Sequence, residues 1–203
     1  MMLAKAKQRS LILASASPRR KELLEGLGLA FTVQPSVANE VVEGDVSPEE
    51  FVTTLARRKA RDVAFSLAES EEEVALVIGS DTVVVLGDEI LGKPADELDA
   101  FRILSSLQGK THIVYTGVCI VEAATGKEKV GYRATRVTMR PLSPDRIRRY
   151  IATGEPMDKA GAYGIQGYGA TLVENMEGDY FSVVGLPVSL VSDFLEEFGV
   201  QLL

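Results

Sequence analysis

The sequence predicts a single α/β domain built around a mixed β-sheet. Short apolar runs suited to buried strands alternate with helical patterns that carry cap residues at their starts. Consecutive strand-like runs, joined by short turns, require antiparallel pairing within the same sheet. The chain has 203 residues, 46% of them hydrophobic and 25% charged, enough for one sizeable core or for one domain of two lobes.

The elements follow in order. The start, "MMLAKAKQRS", is basic, and the apolar run after it is too short for a secretory signal. Leu11 to Ala14 reads as a buried strand. Pro18 to Gly26 reads as a helix, with Ser17 as its N-cap, Pro18 at the first position and Leu23, Leu24 and Leu27 on its apolar face. "AFTVQPSV" is a second strand, halted by Pro35. "VSPEEFVTTLARRKARDVAFSLAES" is the strongest helical pattern, capped by Ser47, with Glu49 and Glu50 in its first turn. The acidic run Glu69 to Glu73 reads as a solvated loop.

Val74 to Ile78 is a third strand, and Thr82 to Leu86 and Glu89 to Leu91 flank "GD" as a hairpin. "ADELDAFRILSSLQG" predicts a helix of about four turns. Two long strands follow, "THIVYTGVCIVEAATG" and "KEKVGYRATRVTMRPL", with a turn near Gly126. "SPDRIRRYIATG" is a capped helix, "ATLVENMEGDYFSVVG" a hairpin, and "LPVSLVSDFLEEFG" a closing helix. No repeat or Pro/Ser-rich linker interrupts the chain.

Composition removes several function classes. The net charge is −7, which opposes general attraction to nucleic acid or acidic membrane. No apolar run is long enough to span a bilayer, and a cytoplasmic protein is expected. The one cysteine, Cys119, excludes an internal disulfide and reads as a small buried apolar residue. The one histidine, His112, excludes multi-histidine zinc sites. Nothing near His112 suggests a nucleophile. Any metal should be a hard cation held by carboxylates and substrate phosphates.

Four constellations remain. In "LILASASPRR", two arginines sit where a helix begins, although cations are unfavourable at that end. Ser15, Ser17, the first-turn amides and a guanidinium fork together suit an anion. The competing reading has Ser17 only capping and both arginines in solvent. Asp81 interrupts an apolar run, and so is paired, protonated, bound to metal or in a turn. Lys93 follows the hairpin, which could return it towards Asp81. In "LARRKA", Arg57, Arg58 and Lys59 point different ways, and a solvated helix face suits most of them. "GEPMDKAGAYGIQGYGA" is a long glycine-rich segment holding Asp158, Lys159 and Gln166, which reads as functional rather than idle. Acids beside cations fit phosphoryl chemistry. Spacing alone reaches no further.

"LASASPRRKELLEGLG", "GSDTVVVLGDEILGKP", "EPMDKAGAYGIQG" and "EGDYFSVVGLP", in that order from about Leu11 to Leu195, resemble the Maf family. These are nucleoside triphosphate pyrophosphatases, also called septum-formation-inhibitor homologues. The resemblance implies an elongated, twisted mixed sheet with flanking helices and two lobes around a cleft, related to inosine triphosphate pyrophosphatases. Residues 1–10 match nothing and are expected to be a flexible extension of the single domain 11–203. It further implies cleavage between the α and β phosphates, a divalent cation (Mg²⁺ or Mn²⁺) and a homodimer. Carried over by motif, Ser15, Ser17, Arg19 and Arg20 bind phosphate. Asp81, Glu40, Lys59, Lys93 and Gln166 are catalytic, with Glu40 and Asp81 holding the metal. Of the two arginines, Arg19 is expected to reach the phosphates more directly and Arg20 to be partly structural. "DKAGAYGIQG" resembles the branch acting on dTTP and UTP. A non-catalytic nucleotide-binding regulator and a phosphohydrolase releasing orthophosphate are the alternatives.

Overall fold

The computed structural model describes residues 9–67 and 75–203. The acidic run Glu69–Glu73 and Val74 lie outside them, as does the expected N-terminal extension except for Arg9 and Ser10. Strands β1 (Ser10–Leu13), β2 (Thr32–Val33), β3 (Ala75–Leu86), β4 (Glu89–Leu91), β5 (Thr111–Glu122), β6 (Glu128–Met139) and β7 (Val173–Glu177) form one sheet. Its order is β2-β1-β3-β5-β6-β7, with β4 also on β3. Strand β1 runs parallel to β2 and β3, and every other pair is antiparallel.

Alternation decides which face each side chain covers. Leu11 and Leu13 of β1, Leu76 and Ile78 of β3, and Val118 and Ile120 of β5 join one core. That core is closed by Leu24 of helix α1 (Pro18–Gly26) and by Leu190, Val191 and Leu195 of helix α6 (Val188–Glu197). Their neighbours Ile12, Val77 and Cys119 face the opposite way, against Ala56, Ala60 and Ala64 of helix α2 (Pro48–Leu67). Burial raises the Cys119 thiol to about 12, as an inert core residue requires. At the other end of the sheet, Val84, Leu91, Val114 and Val137 pack with helices α3 (Glu97–Leu107) and α4 (Pro144–Ile151). The long strands β3 and β5 thus carry an apolar body at each end.

Helix α2 lies close against the sheet because Gly79 on β3 and Gly117 on β5 lack side chains. A Cβ on Gly79 would fall 2.3 Å from the Ala56 carbonyl oxygen, and one on Gly117 2.4 Å from that of Val52.

Several local expectations need correction. Strand β3 runs unbroken through Asp81, so there is no turn after Gly79. The second strand keeps only two residues. Helix α3 spans eleven residues, about three turns, because Asp96 is its cap, accepting from the Asp99 amide at 2.8 Å. The hairpin expected over residues 170–185 is one strand, β7, followed by a short helix α5 (Tyr180–Val184) that Asp179 caps. Ser17 occupies the N-cap position of α1, but its hydroxyl makes no capping bond.

Candidate active site

The register of β3 creates the site. One edge pairs with β5 along nearly its whole length, from Leu76 to Val85. The opposite edge pairs with β1 only up to Ile78 and with β4 only from Val84. Between them, Gly79–Val83 has no strand neighbour on that edge among the described residues. A cleft of about 640 Å³ opens there, within the usual range for a small-molecule site.

All nine site residues implied by the family resemblance line this cleft: Ser15, Ser17, Arg19, Arg20, Glu40, Lys59, Asp81, Lys93 and Gln166. They arrive from the β1–α1 turn, the first turn of α1, the 34–47 loop, α2, β3, the segment after β4 and the glycine-rich segment.

Asp81 and Thr82 are adjacent on β3 and face opposite sides of the sheet. Asp81 is buried on the α2 side, where Lys59 Nζ lies 2.7 Å from its Oδ1 and 2.7 Å from Glu40 Oε1. One ammonium therefore bridges two carboxylates. Glu40 is mostly exposed, and the hydrogen bond from Lys59 is the largest cause that holds its carboxyl below the usual glutamate range. The neighbouring arginines are engaged rather than solvated, correcting the expectation for "LARRKA". Arg57 binds Glu128 at 2.9 Å, and Arg58 donates to the carbonyls of Asn39 and Val41.

On the α1 side, Arg20 is held at three points. Its Nε donates to the Gly185 carbonyl at 2.7 Å, and its Nη atoms to Ser15 Oγ at 3.1 Å and Thr82 Oγ1 at 3.2 Å. Desolvation lowers its pKa from the ordinary arginine value, and the charge on Arg19 adds to this, against the pull of Asp81 and Glu40. Arg19 instead crosses the cleft to Asp158 Oδ2 at 3.1 Å. Lys93 and Gln166 are exposed, and their side chains make no hydrogen bond among the described residues.

Sequence reasoning gave no role to Thr82, Gly185 or Asp158. Gly185 lies inside the quoted motif "EGDYFSVVGLP", and its carbonyl also accepts from Ser80 Oγ at 3.1 Å. This is the only sign the sequence offered that the segment serves the opening arginines. Asp158 stood in the glycine-rich segment without an assigned partner.

A hard divalent cation suits this donor set. Two carboxylates already converge on one positive group, and Mg²⁺ or Mn²⁺ commonly takes one or two protein carboxylates plus water and substrate phosphate. Among the described residues no group of three or more histidine, cysteine or acidic side chains is placed to hold a metal unaided.

A chain from Moorella thermoacetica named dTTP/UTP pyrophosphatase is 54% identical over 94% of this chain and 96% of its own length. One of the same name from Desulforamulus reducens is 49% identical over 96% and 99%. One from Bdellovibrio bacteriovorus is 46% identical over 93% and 98%. The solved structure of the Staphylococcus aureus Ham1 protein aligns with a TM-score of 0.50 at 13% identity, covering 81% of this chain and 80% of that one. It supports the fold alone. The family described as Maf-like protein matches residues 10–198, and with that span and those relatives the chain belongs to the Maf family.

Proposed function

We propose that this protein is a nucleoside triphosphate pyrophosphatase that hydrolyses dTTP and UTP to the monophosphate and pyrophosphate. The observation that carries the chemistry is the convergence of three carboxylates, Glu40, Asp81 and Asp158, and five cationic side chains, Arg19, Arg20, Lys59, Lys93 and Lys159, on one cleft. The substrate follows from relatives of that name that match nearly end to end.

In this reading a water oxygen bonds to the α-phosphorus as the bridge to the β-phosphate breaks, and pyrophosphate leaves. Asp81 and Glu40 orient the water, and one of the two carboxylates accepts its proton. Asp81 Oδ1 is engaged by Lys59, while its Oδ2 makes no hydrogen bond among the described residues. Arg19 and Lys93 neutralise charge moving onto the leaving group, with the Arg20 guanidinium fixed behind them. Ser17 Oγ, unspent on capping, is available to a phosphate oxygen. Gln166 orients water or phosphate from the opposite wall. Glu40 and Asp81 would hold Mg²⁺ or Mn²⁺, which supplies charge neutralisation and polarises the phosphoryl group.

The same reading places the protein in the cytoplasm as a homodimer without nucleic-acid partners. The net charge of −7 supports the last point. Among the described residues no helix is long and apolar enough to cross a membrane. The test is a panel of canonical and modified triphosphates with Mg²⁺ or Mn²⁺. Pyrophosphate release, fastest from dTTP and UTP, is expected. Orthophosphate as the first product, or binding without turnover, would overturn the reading.

A further inference from the structure

Glu40 lies on residues 34–47, a stretch with no helix or strand. No ladder sets its position, and its side chain is 64% exposed. A carboxylate on such a loop would sample many positions, and displacement of about 1 Å at a reacting centre can cost about a hundredfold in rate. Something outside the loop must place it.

Helix α2 supplies the anchor. Arg58 Nη1 donates to the Asn39 carbonyl at 3.3 Å and to the Val41 carbonyl at 2.5 Å. These are the two residues that bracket Glu40. One turn further along the same stripe, Asp62 Oδ2 accepts from Ser36 Oγ at 2.7 Å and from the Val37 amide at 2.9 Å. The next residue after Arg58, Lys59, takes the Glu40 carboxylate itself. Arg58 lies on the outer side of the loop, in a shallow groove with Asn39, Val41 and Glu50, and does not line the cleft. It therefore acts on Glu40 through the backbone and not on substrate.

We infer that Arg58 is a positioning residue for the Glu40 carboxylate, with Asp62 as its second anchor. The inference rests on the reading of Glu40 given above. The three cations of "LARRKA" then have separate roles. Lys59 holds the acid, Arg58 holds the chain that carries it, and Arg57 fastens α2 to β6 through Glu128.

The test combines Arg58→Ala, Arg58→Lys, Glu40→Gln and the double variant Arg58→Ala/Glu40→Gln. Arg58→Ala should raise the Mn²⁺ concentration giving half-maximal dTTP hydrolysis by about 10- to 100-fold, as loss of a supporting partner commonly does. The KM for dTTP at saturating Mn²⁺ should not change. Arg58→Lys, which keeps a charged donor, should recover much of the loss. In the Glu40→Gln background, Arg58→Ala should add nothing. Hydrogen exchange without metal or nucleotide should quicken at residues 36–42 and not in β3. If Glu40→Gln is impaired and Arg58→Ala either behaves as wild type or multiplies with it, the inference fails alone. If Glu40→Gln turns over normally, the role given to Glu40 fails, and the inference with it.

Discussion

The two walls of the cleft differ in how far their polar groups are committed. On the sheet side, Arg20 and Lys59 are bound at distances of 2.7–3.2 Å to groups on other elements. On the opposite side, Lys159 is paired only within its own segment, to Asp158, Lys93 and Gln166 make no hydrogen bond or ion pair among the described residues, and the Arg19–Asp158 pair spans the gap. The first wall is preorganised, so its charges need little rearrangement as reaction proceeds. The second has groups free to engage whatever enters. One wall should therefore govern the rate and the other the fit of the substrate.

The largest effect should follow from Asp81. Asp81→Asn removes the charge at the floor and leaves Lys59 bound to Glu40. Turnover should fall by about two to three orders of magnitude with unchanged circular dichroism and melting temperature. Near-wild-type pyrophosphate release would remove the distinction between the walls at its base.

Next is Gly79. Alanine there places a Cβ 2.3 Å from the Ala56 carbonyl oxygen and 2.7 Å from the Ala60 nitrogen. Both contacts are rigid helix backbone, so α2 must move. Gly79→Ala should cost roughly 1–3 kcal/mol in denaturant unfolding. It should also lower turnover by drawing Lys59 from Asp81. Unchanged stability would show that the close approach of α2 is not what sets the first wall.

The neighbouring arginines probe the contrast directly. Arg20→Ala removes three part-buried hydrogen bonds from a charged donor and should lose both turnover and roughly 1–3 kcal/mol of stability. Arg19→Ala breaks one solvated pair, so stability should change by less than about 1 kcal/mol while turnover still falls. The exposed Arg149→Ala serves as a control and should change neither. If Arg19→Ala and Arg20→Ala lose stability equally, the division of labour between them is wrong.

Much of this organisation was legible in the sequence, for identifiable reasons. Apolar runs bounded by turn residues marked β1 and β5, and Ser47 with Pro48 marked the start of α2, because both are local rules. Asp81 stood out because a carboxylate inside an apolar run needs a partner. The continuity of β3 was illegible: Gly79 reads locally as a break, and only the distant backbone of α2 explains it. The three-point seat of Arg20 was hidden for the same reason, since Thr82 and Gly185 reach it through pairing register and the fold of α5. Lys59 could not be told from Arg57 and Arg58 by spacing; the resemblance chose it, and contacts give all three separate partners.

The second wall should respond more mildly. Lys93→Ala and Gln166→Ala each remove one contact to a charged ligand, worth about 1.5 kcal/mol or roughly tenfold in kcat/KM. Neither should shift the melting temperature, since neither side chain binds the protein. The ratio of dTTP to UTP turnover should move more in these variants than in Arg20→Ala. The reverse pattern would assign substrate fit to the first wall.

The smallest effect near neutrality concerns how the second wall is fastened. Tyr163 lines the cleft from the glycine-rich segment, and its hydroxyl lies 2.6 Å from Nε2 of His112 on β5. His112 is buried, and its Nδ1 has no hydrogen-bond partner among the described residues. Burial lowers the imidazole to about 4. The unfolded chain takes up its proton near pH 6.5, so between there and about 4 it binds more protons than the folded protein. Stability should therefore fall as pH drops through that window, with a loss of about 0.8 kcal/mol already at pH 6. His112→Gln, which cannot titrate, should flatten this limb in urea unfolding measured from pH 7.5 to 5. Amides at residues 160–166 should exchange faster in acid in the wild type and not in the variant. If they do not, the pair carries general stability and does not fasten that wall.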